Sequence, residues 1–143
     1  MSDRAAAVNA WEALFRAQVT VLRVLQAEFP TDEISLNEYD VLFNLSRQPE
    51  HQLRIRDLNK HLLLTQPSVS RLVDRLAARG LLRKEADPGD GRGTIVCLTE
   101  AGYELFRSVA VPHSTSIAKE MAALTPDELA ALTALTDKLR RSI

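Results

Sequence analysis

Between Thr65 and Gly80 the chain reads Thr-Gln-Pro-Ser-Val-Ser-Arg-Leu-Val-Asp-Arg-Leu-Ala-Ala-Arg-Gly. Val69, Leu72, Val73 and Leu76 fall at i, i+3, i+4 and i+7, the spacing of one buried helical face. Gln66, Ser70, Arg71, Asp74, Arg75 and Ala78 are left on the other. Near the helix start, Gln66, Ser68 and Ser70 offer short hydrogen-bonding groups for base edges or phosphates, and helix N-termini favour phosphate. Arg71 and Arg75 lie one turn apart, placed to reach guanine O6 and N7 or phosphate oxygens. A second concentration of chemistry follows at Asp87-Pro88-Gly89-Asp90-Gly91-Arg92-Gly93, which holds three of the five glycines. Gly91 and Gly93 allow close backbone approach, and Arg92 between them suits the negative potential of a minor groove.

These residues need elements to hold them. Thr65 reads as an N-cap, Pro67 suits the first turn and Gly80 the position after the last. A short helix over about Ile55 to Leu62 precedes it, with Ile55, Leu58 and Leu62 on one face, so the pair has the form of a helix-turn-helix. The second helix, about 14 residues, would be roughly 21 Å long, enough to lie in a major groove. After Gly80 the period changes. Leu82 to Ala86 and Thr94 to Leu98 read as strands of a hairpin whose flexible tip is the Gly/Asp/Pro cluster. Thr94, Val96 and Leu98 share one face, which leaves Cys97 on the other and partly exposed.

The flanks are helical. Trp11, Leu14, Phe15, Gln18, Leu22, Leu25 and Phe29 form a stripe along a helix from about Arg4 to Phe29, ended by Pro30. Ser35-Leu36-Asn37-Glu38 is a capping box opening a helix through Leu45. Thr99 caps a helix running to about Leu124 with a bend near Pro112. Thr125-Pro126-Asp127-Glu128 starts a last helix carrying Leu129, Leu132, Leu135 and Leu139.

Each signal has a plainer counterpart. Helical hairpins with polar outer faces are common, two arginines can be a solvated face, and Gly89-Asp90-Gly91 can be a simple turn. Helix-turn-helix, hairpin and an arginine at its tip within about 40 residues point together to DNA. A winged-helix module that binds proteins is the alternative, and Arg71, Arg75 and Arg92 favour DNA over it. The chain lacks a P-loop, a zinc-protease His-Glu motif, a nucleophile elbow and a dinucleotide fingerprint, so an enzyme is not expected. His51, His61 and His113 lack zinc-site spacing, and neither metal nor cofactor is expected.

Leu72-Val73-Asp74-Arg75-Leu76-Ala77-Ala78-Arg79-Gly80-Leu81-Leu82, then Asp87 to Arg92, then Leu98-Thr99-Glu100-Ala101-Gly102 resemble, in combination and order, the multiple-antibiotic-resistance regulator (MarR) family. The resemblance covers nearly the whole chain. It implies a mainly α fold with a small antiparallel β wing, as a single domain over residues 1–143. Residues 35–99 would form the winged helix-turn-helix, and residues 1–34 and 100–143 the interlocking helices of a homodimer. It also implies a third short strand near Gln52 to Arg54. DNA-contacting positions carry over to Gln66, Pro67, Ser68, Ser70, Arg71, Arg75 and Arg92, beside the cap Thr65 and Gly91. Asp74 would hold a wing arginine, and Asp90 would support the wing. The chain departs from the family at the wing tip, where Pro88 and Gly89 stand in place of further arginines. The family also implies a small, often aromatic effector bound between dimer helices and winged region; no effector residues are assigned, although Trp11, Phe15, Tyr39 and Phe43 are candidates. A redox-responsive regulator acting through the lone Cys97 is a further alternative.

With 143 residues, 45% apolar and 26% charged, the composition is that of one ordinary globular domain. The net charge of −1 conceals a partition. Residues 1–46 carry three Arg against seven Asp and Glu, residues 47–95 ten Lys and Arg against six, and residues 96–143 five against six. The middle is basic between acidic flanks, as a DNA-binding dimer requires. The two apolar stripes exceed what one small domain covers, so a second copy is expected, reading a pseudo-palindromic duplex with half-sites about 34 Å apart. The lone cysteine, the lack of a signal-peptide core and the absence of a long uncharged stretch lead us to expect a cytoplasmic protein without a membrane partner.

Overall fold

The computed structural model describes residues 3–143. In chain order the elements are α1 (Asp3–Glu28), α2 (Leu36–Ser46), a 3-10 turn (Pro49–His51), β1 (Gln52–Arg54), α3 (Ile55–Asn59), α4 (Gln66–Ala78), β2 (Leu82–Asp87), β3 (Asp90–Leu98), α5 (Glu100–Glu120) and α6 (Pro126–Arg141). They divide into two compact units: the chain up to Glu28 with Ser114–Ile143, and Phe29–His113.

The second unit owns the hydrophobic core. Ile34, Val41, Leu42 and Leu45 from α2 and its approach meet Leu58 of α3 and Val69, Leu72, Val73 and Leu76 of α4, all buried. The helical spacing of the α4 residues thus becomes one face packed inward. Local chemistry fixes the ends. Ser35 Oγ accepts from the Glu38 N–H at 3.1 Å and Glu38 Oε1 from the Ser35 N–H at 2.9 Å, closing the expected box. At the end of α4, Gly80 takes φ +76°. Its N–H bonds the Ala77 carbonyl, and the Leu81 N–H reaches back to the Leu76 carbonyl. This pair of hydrogen bonds, with buried Leu76 and Leu81, is a Schellman cap, which favours glycine at the left-handed position.

The sheet is antiparallel in the order β1-β3-β2. Gln52 to Arg54 pair with Cys97 to Ile95, so the third strand lies where the family resemblance placed it. Leu82 pairs Leu98, and Asp87 pairs Asp90, with an irregularity between Ala86 and Asp87. Thr99 Oγ1 caps α5 by accepting from the Gly102 N–H at 3.0 Å and donates to the Gly80 carbonyl at 2.7 Å.

Four sequence expectations need correction. The helix expected to reach Leu62 ends at Asn59, because Lys60, His61 and Leu62 bond three residues back and wind the chain tighter. The hairpin strands extend to Asp87 and Asp90, leaving only Pro88 and Gly89 as the turn, so Arg92 sits within β3 and not at the tip. Helix α5 stops at Glu120 rather than Leu124, again where i to i−3 bonds take over. Cys97 is 2% exposed rather than partly exposed.

In the first unit, α1 and α6 bury no side chain among the described residues. Trp11 is 56% exposed and Leu135 65%, with Val8, Phe15, Leu22 and Leu139 also open to solvent. An exposed ion pair joins Glu28 and Lys119 at 3.3 Å. Thr125 and Glu128 form the second capping box, at 2.9 and 3.2 Å. No helix is long and apolar enough to cross a membrane among the described residues.

Candidate nucleic-acid interface

Helix α4 presents its polar face outward. Thr65, Gln66, Pro67, Ser70, Arg71, Asp74 and Arg75 are exposed, and Ser68 is half-buried. Thirteen residues make a rod of about 20 Å, long enough to follow a major groove. Thr65 supports more than the backbone. Its Oγ1 accepts from the Ser68 N–H at 3.3 Å and donates to Ser68 Oγ at 2.9 Å, while Arg71 Nη2 donates to the same Ser68 Oγ at 3.2 Å. The cap thereby orders a serine, and the serine an arginine, at the helix end where the positive pole and free N–H groups also point. Asn37, from the first turn of α2, lines one cleft with Ser68, Arg71, Leu72 and Arg75. Nothing in the spacing of α4 could have shown that residue, because it arrives from another helix.

The wing is built around one carboxylate. Asp87 is 4% exposed, yet both its oxygens are engaged: Oδ2 pairs with Arg54 Nε at 2.7 Å, and Oδ1 accepts from the Gly89 N–H at 2.9 Å. A Cβ on Gly93 would come within 3.2 Å of Asp87 Cβ, so the missing side chain there lets Asp87 tuck in. Asp90 Oδ1 accepts from the Arg92 N–H at 3.1 Å, a local turn that orders the start of β3 beside Gly91. Arg92 is exposed and shares a cleft of about 220 Å³ with Arg54, Arg56, Asp87 and Asp90. Arg54 and Arg56 escaped the sequence reading; the surplus of basic residues over 47–95 was the available signal.

Asp74 differs from expectation. Its carboxylate pairs with Lys84 Nζ on β2, a lysine and not a wing arginine. The physical reason is register. Lys84 is the third residue of β2, near the sheet end that follows α4, whereas Arg92 lies near the hairpin turn. The pair still ties α4 to the wing sheet, although both side chains are substantially exposed and the energetic contribution is small.

Cys97 is packed away on β3, its thiol donating to Gln52 Oε1 at 3.4 Å. Burial, with the nearby Glu85 carboxylate, pushes the thiol above its ordinary pKa, which lowers its thiolate fraction and its reactivity. Elsewhere in this unit Tyr39 stacks on Phe106 at 5.4 Å and on Phe43 at 6.3 Å. His113 packs edge-on against both Phe29 and Tyr39, and burial lowers its pKa. Asp40, half-buried on α2, is pushed up to about 6 by burial.

Comparison with known proteins bears on this geometry. The sequence pattern of the MarR family matches residues 32–93. A Bacillus subtilis protein, YkoM, described as an uncharacterized HTH-type transcriptional regulator, is 32% identical over 85 residues. The alignment covers 59% of this chain, and the chain spans only about half, 55%, of that relative's length. Among solved structures, the Streptomyces coelicolor MarR-family transcriptional regulator Sco3205, in complex with DNA, superposes with a TM-score of 0.77 at 26% identity. That match covers 96% of this chain and 88% of the other. BpsR of Bordetella bronchiseptica, whose DNA binding is regulated by 6-hydroxynicotinic acid, also matches with a TM-score of 0.77 at 26% identity, over 92% of this chain and 98% of its own.

Proposed function

We propose that this chain belongs to the MarR family and is a dimeric, sequence-specific, DNA-binding transcriptional regulator that represses its targets and responds to a small aromatic ligand. The observation that carries the reading is the exposed polar face of α4, with Gln66, Ser68, Ser70, Arg71 and Arg75, in the same compact unit as the arginine-bearing wing. Helix α4 enters the major groove, where Gln66 and the arginines meet base edges and Ser68, Ser70 and the helix start meet phosphate. Thr65 and Pro67 fix that helix start, and Gly91 lets the backbone carrying Arg92 approach the minor groove. Asp74 and Asp90 act as supports, through Lys84 and the Arg92 backbone.

Dimerisation is supported by the uncovered apolar side chains of α1 and α6, including Trp11, Phe15, Leu135 and Leu139. A twofold pair would meet a pseudo-palindromic duplex. The DNA-bound form of Sco3205 supports the choice of partner, and the ligand control of BpsR supports an effector of aromatic type. We place the protein in the cytoplasm and assign it no catalytic role. The burial of Cys97 disfavours thiol-redox control.

The test is a gel-shift titration against DNA flanking the protein's own gene at two salt concentrations, with sedimentation giving the number of chains per duplex. Specific binding by two chains that weakens in Arg71→Ala and Arg92→Ala is the expected result. Absence of binding, or binding indifferent to both substitutions, would overturn the reading.

A further inference from the structure

We propose that Arg54 is a positioning residue for DNA binding: by engaging Asp87 it fixes the wing and leaves Arg92 free to meet DNA. The inference rests on the DNA-binding reading above. Arg54 occupies a junction, as the last residue of β1 and the residue immediately before α3, the first helix of the helix-turn-helix. Its Nε reaches across to the hairpin and meets the nearly inaccessible Asp87 carboxylate at 2.7 Å. The other oxygen of that carboxylate holds the Gly89 N–H in the turn. One ion pair therefore fastens the far end of the wing to the element that also carries α3.

Charge makes the pairing consequential. Arg92 lines the same cleft as Asp87, and no ion pair to Arg92 exists among the described residues. A buried carboxylate without a cation is costly and recruits whichever cation can reach it. With Arg54 in place that demand is met. Without it, Asp87 draws in Arg92, the side chain meant for the minor groove, and the turn loosens.

The experiment measures affinity for a fluorescein-labelled duplex from the flank of the protein's own gene over a range of salt. The proteins compared are the parent, Arg54→Met, Arg92→Ala and the double variant. Arg54→Met and Arg92→Ala should each weaken binding by about tenfold, and the double variant should be no weaker than Arg92→Ala, with the same salt slope. Additive losses, with the slope falling by about one further unit in the double variant, would mean that Arg54 touches phosphate itself, and the proposal fails. Unchanged affinity in Arg54→Met overturns it as well. Should Arg54→Met fail to fold, Arg54→Met with Asp87→Asn strands no charge and leaves no carboxylate to draw in Arg92, so it should bind more tightly than Arg92→Ala; binding as weak as that of Arg92→Ala would overturn the proposal. A second measurement needs no DNA: hydrogen exchange at the Gly89 amide should quicken in Arg54→Met. A parent protein that binds no duplex refutes the DNA reading, and the proposal with it. A parent protein that binds the duplex, with affinity and Gly89 exchange both unaltered in Arg54→Met, refutes the proposal and leaves the DNA reading standing.

Discussion

Replacing Gly102 with alanine pits two effects of opposite sign against each other in one methyl group. The substitution raises helix propensity by about 1 kcal/mol, since glycine is the poorer helix former. Against that, a Cβ at this buried position in the first turn of α5 would lie 2.1 Å from the Leu81 carbonyl oxygen, 2.8 Å from Leu98 Cδ1 and 3.0 Å from the Leu81 carbonyl carbon. Two of those atoms are backbone, so no rotamer change relieves the contact. The start of α5 must withdraw by about 1 Å to restore van der Waals distance. Withdrawal stretches the Thr99 N–H bond to the Leu81 carbonyl, now 3.2 Å, and the Thr99 hydroxyl bond to the Gly80 carbonyl, now 2.7 Å. Overpacking costs roughly 1–3 kcal/mol, and one weakened hydrogen bond about 1 more. The net expectation is a loss of about 1–3 kcal/mol, or roughly 3–10 °C in Tm for a chain of this size. Paired urea and thermal unfolding of Gly102→Ala and Gly91→Ala measures it, because a Cβ at Gly91 meets nothing within 4 Å and should change stability by less than about 0.5 kcal/mol. Equal or greater stability of Gly102→Ala would refute the reasoning, showing that α5 is not held against Leu81 as tightly as the contact implies.

Two further outcomes follow from titrating groups. Asp40 has a pKa of about 6 in the fold against 3.8 unpaired, so the folded state binds the extra proton and the stability penalty grows as pH rises from 3.8 through 6. Asp40→Asn should therefore stabilise by about 1–2 kcal/mol at pH 7.5, after allowance for solvent screening, and by little at pH 4; pH-independent unfolding differences would contradict this. Cys97, buried with a raised pKa, should react with a thiol reagent far more slowly in the native protein than in denaturant, and Cys97→Ser should retain DNA affinity in oxidant. Rapid native modification would reverse the assignment of an inert thiol.

What the sequence disclosed and what it withheld divide along the range of the interaction. The capping boxes at Ser35 and Thr125, the Thr65 cap and the Gly80 terminator are contacts within a few residues, and side-chain types at fixed spacing announce them. The polar face of α4 was readable because the apolar positions opposite it keep helical period. The Arg54–Asp87 pair, the Asn37 contribution beside Arg71 and the Lys84 partner of Asp74 depend on how separate elements come together, and no local pattern encodes them. Cys97 shows the same limit from the other side. Strand alternation put it on the face away from Leu98, but alternation says nothing of whether Gln52 on a third strand covers that face.

Helices α1 and α6 bury no side chain among the described residues. In the proposed dimer a second copy covers their apolar faces. Stability then becomes a function of how much protein is present, because association stabilises by mass action. Dilution would uncover these helices before it disturbed the Phe29–His113 core, so the unit that carries α4 and the wing would stay folded while losing its twin. For a regulator that needs two wings on one duplex, occupancy would fall more steeply than in proportion to its own abundance, and the number of copies in the cell would itself become an input to the switch.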